Sequence, residues 1–120
     1  MLSIDLRTSP QAALLYRVAN RDWMPIHADP GVAHEAGFER LIAHGLSKLG
    51  PACRAILKTR LAGRPERLGA IAVRFVQPGL PGATVRVELF EGGAGTLHFR
   101  ATAVERGVRL LGRGTGTLKT

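Results

Sequence analysis

Halfway along the chain the spacing of apolar residues changes, and that change restricts the fold more than any single residue does. From His44 to Gly63, the residues Leu46, Leu49, Cys53, Ile56, Leu57 and Leu61 recur at three- and four-residue intervals, while Lys48, Arg54, Lys58 and Arg60 mostly avoid their face. That is the period of an amphipathic helix. From Ile71 onward the interval is two. Ile71, Val73 and Phe75 alternate with other residues, then Val85, Val87 and Leu89, then Leu97, Phe99, Ala101 and Ala103. Alternation of this kind is the period of a strand with one buried face. Turn-forming sequences separate the runs: Gln77-Pro78-Gly79, Pro81-Gly82, Gly92-Gly93-Ala94-Gly95 and Arg106-Gly107. A last run from Val108 to Leu118 carries Gly112, Gly114 and Gly116, which weaken a strand and suit an edge or a bulge. Pro51 complicates the helix, because it lacks an N–H and crowds the Ser47 carbonyl. Either the helix kinks there, or a first turn near Gly45 gives way to a helix restarting at Pro51.

The first forty residues supply smaller pieces. Leu2, Ile4 and Leu6 alternate with Ser3, Asp5 and Arg7, a short strand pattern. Thr8-Ser9-Pro10 places a cap before a proline at the first helical position, and Ala13, Leu14, Arg17 and Val18 follow at helical spacing. This helix is expected to end near Asn20. Asp29-Pro30 is a second cap-plus-proline start, and the short helix it opens is closed by Gly37. The order is strand, short helices, one long helix, then about four antiparallel strands, an α+β layout in a single domain over residues 1–120. The economical arrangement is an antiparallel sheet wrapped around a long central helix.

Composition narrows the function. Hydrophobic residues make up 45% of the chain, too many for disorder. Seventeen Lys and Arg against nine Asp and Glu give a formal net charge of +8 and favour anionic partners. The basic residues are scattered, though, and the aromatics are not interleaved with them as a base-stacking platform requires, so no nucleic-acid surface is expected. Cys53 is the lone cysteine, which excludes an intrachain disulfide and suits a reducing compartment. No signal peptide and no apolar run of membrane-spanning length is seen, so a cytoplasmic protein with no membrane partner is expected. His27, Asp29 and His34 lack a metal-like spacing, and Asp29 is better used as a cap, so no metal site is expected. Cys53 falls on the apolar helix face and reads as a buried structural thiol.

Two short elements carry possible chemistry. RDWMPIHADP places Asp22 five residues before His27, with Pro25 stiffening the turn between them and Trp23 and Ile26 able to exclude solvent. A carboxylate and an imidazole together run acid and base steps near neutral pH. By spacing alone, a plain loop with a capping Asp and a core-edge His is the better reading. ERLIAHGLSKLG places His44 and Gly45 where the long helix begins. A helix N-terminus exposes free N–H groups and partial positive charge, which suits polarising a thioester carbonyl. Without further context, an ordinary helix start is the better reading.

Taken together, YRVANRDWMPIHADPGVAHEAGFERLIAHGL resembles the signature of the MaoC-like, (R)-specific enoyl-CoA hydratases, or hydratase 2. The family pattern is roughly Y-R-…-G-D-x-N-P-[LI]-H-x-D-P followed by A-…-A-G-F-x-R-P-I-L-H-G-L. TSPQAALLYR before it and RFVQPGLPGATVRVELFEGG after it are also similar to the catalytic half of the peroxisomal two-repeat hydratases, so the likeness covers nearly the whole chain. The resemblance implies a hot-dog fold. It also implies that Asp22 and His27 activate a water for syn addition across a trans-2-enoyl-CoA, that the Gly45 N–H holds the thioester oxygen, and that the product is a (3R)-hydroxyacyl-CoA. No cofactor is implied, since the CoA thioester is the substrate, and scattered arginines are suited to its phosphates.

Three departures from the family pattern stand out. Met24 occupies the place of an Asn that helps order the acid/base pair and its water, and methionine donates no hydrogen bond. The segment from Tyr16 to His27 is one residue longer, with Asn20-Arg21 in place of a Ser-Gly lead-in, and Leu41 replaces a proline. A single domain of this size exposes a sheet face or edge, so a homodimer is expected, or a heterodimer with a second hot-dog subunit. Other readings are an impaired or non-catalytic acyl-CoA-binding subunit and a thioesterase on the same fold.

Overall fold

A computed structural model describes residues 1–11, 18–21, 29–37, 45–80 and 82–119. In chain order these hold β1 (Leu2–Arg7), α1 (Pro30–Glu35), α2 (Gly45–Arg60), one 3-10 turn (Pro65–Arg67), β2 (Leu68–Phe75), β3 (Thr84–Glu91), β4 (Thr96–Ala103) and β5 (Val108–Leu118). The strands form one five-stranded sheet in the order β1-β3-β4-β5-β2, and every neighbouring pair is antiparallel. Both β3–β4 and β4–β5 are hairpins closed where the glycines predict turns. Gly95 and Gly107 take φ of 76° and 64°, a left-handed backbone that costs glycine nothing.

The alternation sets the sheet's faces. Val85, Val87 and Leu89 of β3 and Leu97, Phe99, Ala101 and Ala103 of β4 are buried, and Leu110 and Leu111 of β5 join them. α2 packs onto this face with Ala52, Ala55 and Ile56, each fully buried. The helix runs unbroken from Gly45 to Arg60 with Pro51 inside it, so it neither stops nor restarts there. Its buried stripe is turned by roughly 100°, one residue's step, from the stripe that the large apolar residues mark. The alanines make the closest approach to the sheet, and Lys48 lies on the same side at 8% exposure. Lys48 therefore does not avoid the buried face, as its charge suggests it would.

β5 corrects one expectation and meets another. It is no edge strand, since it lies between β4 and β2. It is bulged: Phe99 pairs with Gly114 and Ala101 with Leu111, which leaves Gly112 and Arg113 opposite one residue of β4. Arg113 takes φ 50° at this bulge. Bulges bend a strand and raise its twist, which curves the sheet over the helix. Gly114 is there for room, because a Cβ at that place would stand 2.6 Å from Phe99 of β4, whereas one at Gly116 would only touch Leu97 at 3.4 Å.

The N-terminal caps match the sequence reading. Asp29 Oδ1 accepts from the Gly31 and Val32 N–H groups at 2.9 and 3.4 Å, and Gly37 follows α1 at φ 93°. Ser9 Oγ accepts from Gln11 N–H at 3.1 Å, and residues 18–20 are helical. Arg21 then takes φ 55°, the left-handed conformation that ends a helix. It stands where the hydratase pattern has glycine. Among the described residues no helix is long and apolar enough to cross a membrane.

Candidate functional site

Of the residues singled out for chemistry, Gly45 is described and opens α2. Asp22, Met24 and His27 lie outside the described residues, as does His44. The segment that carries Asp22 and His27 is bounded on one side by Arg21 and on the other by the Asp29 cap.

The first turn of α2 carries no acidic side chain of its own, and a helix amino end presents N–H groups and partial positive charge. Lys48 lies three residues after Gly45. Its Nζ donates to the Gln77 carbonyl at 2.9 Å and sits 5.1 Å from the centre of the Phe75 ring. Burial holds the Lys48 ammonium pKa below the ordinary lysine value. Arg106 Nη1 donates to the next carbonyl, that of Pro78, at 3.1 Å. Sequence reasoning assigned Lys48 to the solvent side. The signal that places it inside is its four-residue spacing to Ala52 and Ile56, which makes it part of the small-residue stripe.

Cys53 is half-buried and not a core residue, which corrects the sequence expectation. With Leu57, Leu61, Pro65 and Leu68 it lines an apolar groove of about 310 Å³ on the side of α2 turned away from the stripe, with Arg54 at its rim. Burial pushes the thiol pKa up, so it is not an activated nucleophile. Among the described residues no group of three His, Cys, Asp or Glu side chains converges as metal ligands would.

Part of the basic charge is committed to ion pairs, two of them on the sheet. Arg86 forks onto Asp5 at 2.8 and 3.1 Å and Arg100 onto Glu88 at 2.9 and 3.2 Å. The guanidinium beside each carboxylate holds its pKa down. Arg60 pairs with Glu91, and Arg64 with Glu66 at 3.0 Å. Arg54, Arg74, Arg109 and Arg113 pair with no carboxylate among the described residues.

A protein-family model for the MaoC like domain matches residues 2–112. The chain is 38% identical over 109 residues to peroxisomal multifunctional enzyme type 2 of Drosophila melanogaster, covering 91% of this chain and 18% of that protein. It is 41% identical over 92 residues to the peroxisomal enoyl-CoA hydratase 2 of Arabidopsis thaliana, covering 77% of this chain and 29% of that one. In structure it superposes on a MaoC-like dehydratase from Phytophthora capsici with a TM-score of 0.94 and 34% identity, over 99% of this chain and 40% of that one. The chain thus spans less than a third of either sequence relative's length. The architecture built above is the hot-dog fold.

Proposed function

Since the chain belongs to the MaoC-like dehydratase family, we propose that it hydrates trans-2-enoyl-CoA to (3R)-hydroxyacyl-CoA, or runs the reverse dehydration. Asp22 and His27 activate the water, whose oxygen bonds to C3 while a proton is delivered to C2 on the same face. As C3 is attacked, electron density moves onto the thioester oxygen. In this reading the Gly45 N–H donates to that oxygen, and a fixed donor at that atom lowers the barrier directly. Both bonds form from one water, so the reaction as proposed needs no cofactor and no metal.

The observation that carries this reading is the pairing of the Asp22/His27 motif with a glycine that begins α2, within a chain matched by the family over residues 2–112. The arginines left without a described carboxylate, Arg54 among them, are the candidates for the phosphates of CoA. The apolar groove and the half-exposed Phe75 and Val76 at the β2 edge support pairing with a second hot-dog unit, either a copy of this chain or a different subunit. We place the protein in the cytoplasm on its single cysteine, although two relatives carry peroxisomal names.

The test is the loss of enoyl absorbance with crotonyl-CoA and longer enoyl-CoAs, together with chiral analysis of the product. Asp22→Asn and His27→Ala are expected to lower kcat by about 10²–10⁴-fold, the range for an acid/base group, with the fold intact. A near-wild-type rate in either variant refutes the assignment. Met24 supports a second reading, a subunit that binds acyl-CoA without hydrating it. If so, wild type binds CoA esters with no turnover. If methionine is only a handicap, Met24→Asn raises the rate. Hydrolysis of acyl-CoA without hydration marks a thioesterase instead.

A further inference from the structure

Lys48 is the one charged side chain buried among the described residues, at 8% exposure. No described carboxylate pairs with it. Lys48 is carried by the first turn of α2, where the helix dipole already presents positive charge. Desolvation and dipole both oppose it, and an apolar residue of similar length is commonly neutral or stabilising at such a place. Against these stand, among the described residues, only its contacts with the Gln77 carbonyl and the Phe75 ring, so fold stability gives little reason for a lysine here.

What the ammonium does is local. It holds the Gln77 carbonyl at 2.9 Å and covers the Phe75 ring, while Arg106 holds the Pro78 carbonyl from the β4–β5 turn. The Val76 N–H donates to the Leu110 carbonyl at 3.0 Å, and Gly79 is buried. Two successive carbonyls are thus each held by a cation from a different element. Residues 75–78 form a strap tied to the helix turn that begins at Gly45. We propose that Lys48 is a positioning residue for the thioester: it pins this strap to the first turn of α2 and fixes the wall beside the Gly45 amide. The inference rests on the hydratase reading of Gly45 above.

Lys48→Met keeps the stem but loses the donor and the charge. Its melting temperature is expected to equal or exceed that of wild type. Amide hydrogen exchange at Val76 and Gly79 should speed up by about tenfold or more, a local opening of roughly 1.4 kcal/mol. Hydration of crotonyl-CoA should lose about 10–100-fold in kcat with KM within about threefold, because a misplaced substrate loses rate before it loses binding. Lys48→Arg, which restores a donor and a cation over Phe75, should recover the slow exchange and most of the kcat. A Met variant with kcat within about twofold of wild type, or one whose kcat falls only with its melting temperature, overturns the proposal. So does a Met variant that fails to fold, since that makes the lysine structural. Wild type without hydration activity refutes the hydratase reading and removes this inference with it. Unchanged exchange in Lys48→Met, with wild type active, refutes the strap alone.

Discussion

Gly114→Ala is the substitution whose cost the structure fixes most tightly. Gly114 lies in β5 on the buried face, opposite Phe99 of β4. An added Cβ stands 2.6 Å from Phe99 Cδ2 and Cε2 and 2.6 Å from the Phe99 carbonyl oxygen. Carbon atoms in contact sit at about 3.5–4.0 Å, so the space is short by roughly 1 Å. The Phe99 ring is 3% exposed and enclosed by the core, so it cannot swing away. The carbonyl belongs to the β4–β5 ladder, so moving it separates two central strands. Overpacking of a full core costs about 1–3 kcal/mol, and two rigid obstacles put this case near the upper end, about 3 kcal/mol. For a domain of this size that lowers the melting temperature by roughly 10 °C. Urea unfolding followed by far-UV circular dichroism measures it. The control is Gly93→Ala in the β3–β4 turn, where φ is not left-handed and no atom beyond the chain neighbours lies within 4 Å of the added Cβ. It is expected to change stability by less than about 0.5 kcal/mol. Adding Phe99→Leu to Gly114→Ala should recover part of the loss, since the ring clash goes and the carbonyl clash stays. The double-mutant cycle then shows a coupling of about 1 kcal/mol or more. Gly114→Ala unfolding within about 0.5 kcal/mol of wild type would refute the packing account.

Three further outcomes are expected. Arg21→Gly should stabilise by about 1 kcal/mol in urea unfolding, because Arg21 holds φ 55° at the helix end; a loss of stability would mean that the arginine side chain makes a contact worth more than the strain. Asp29→Ala should cost about 1 kcal/mol through the lost cap of α1, read as a lower urea midpoint, and an unchanged midpoint would show that α1 is held by Ala33 alone. Cys53 has its thiol pKa raised by burial, so at pH 8 less of it is thiolate than in a free cysteine. Its reaction with iodoacetamide should be slower than that of a cysteine peptide at pH 8 and should rise as pH passes upward through the raised pKa. Equal rates at pH 8 in the folded protein would contradict the burial.

The alternation of Val85, Val87 and Leu89 against Leu97, Phe99, Ala101 and Ala103 made the central hairpin readable, because a period of two survives in any sheet with one buried face. The Asp29 cap and Gly37 were readable because they act within a few residues. β5 was harder. Gly112, Gly114 and Gly116 lower strand propensity, and only the partner strand reveals that the missing side chain at Gly114 makes room for Phe99. The stripe of α2 was misplaced for a related reason. Ala52 and Ala55 add little hydrophobicity but make the closest approach, while Cys53 and Leu57 add much and face a groove. Of the candidate site, Gly45 at the start of α2 was legible from the H-G pair and the helical run behind it. Lys48 was not, because its burial depends on the strap at Gln77, which lies 29 residues away in sequence.

The two ends of α2 are built on opposite electrostatic terms. At the carboxyl end, Lys58 and Arg60 complement the helix dipole, and Arg60 also pairs with Glu91. At the amino end the first turn carries no acid, and it bears the buried Lys48. A helix selected for stability alone would carry Asp or Glu in its first turn. The first turn instead leaves the positive end of the dipole without an acid of its own beside Gly45, where the proposed reaction develops negative charge on the thioester oxygen. Under the hydratase reading, stability given up there in the free protein returns as stabilisation of the enolate, the differential binding on which catalysis depends.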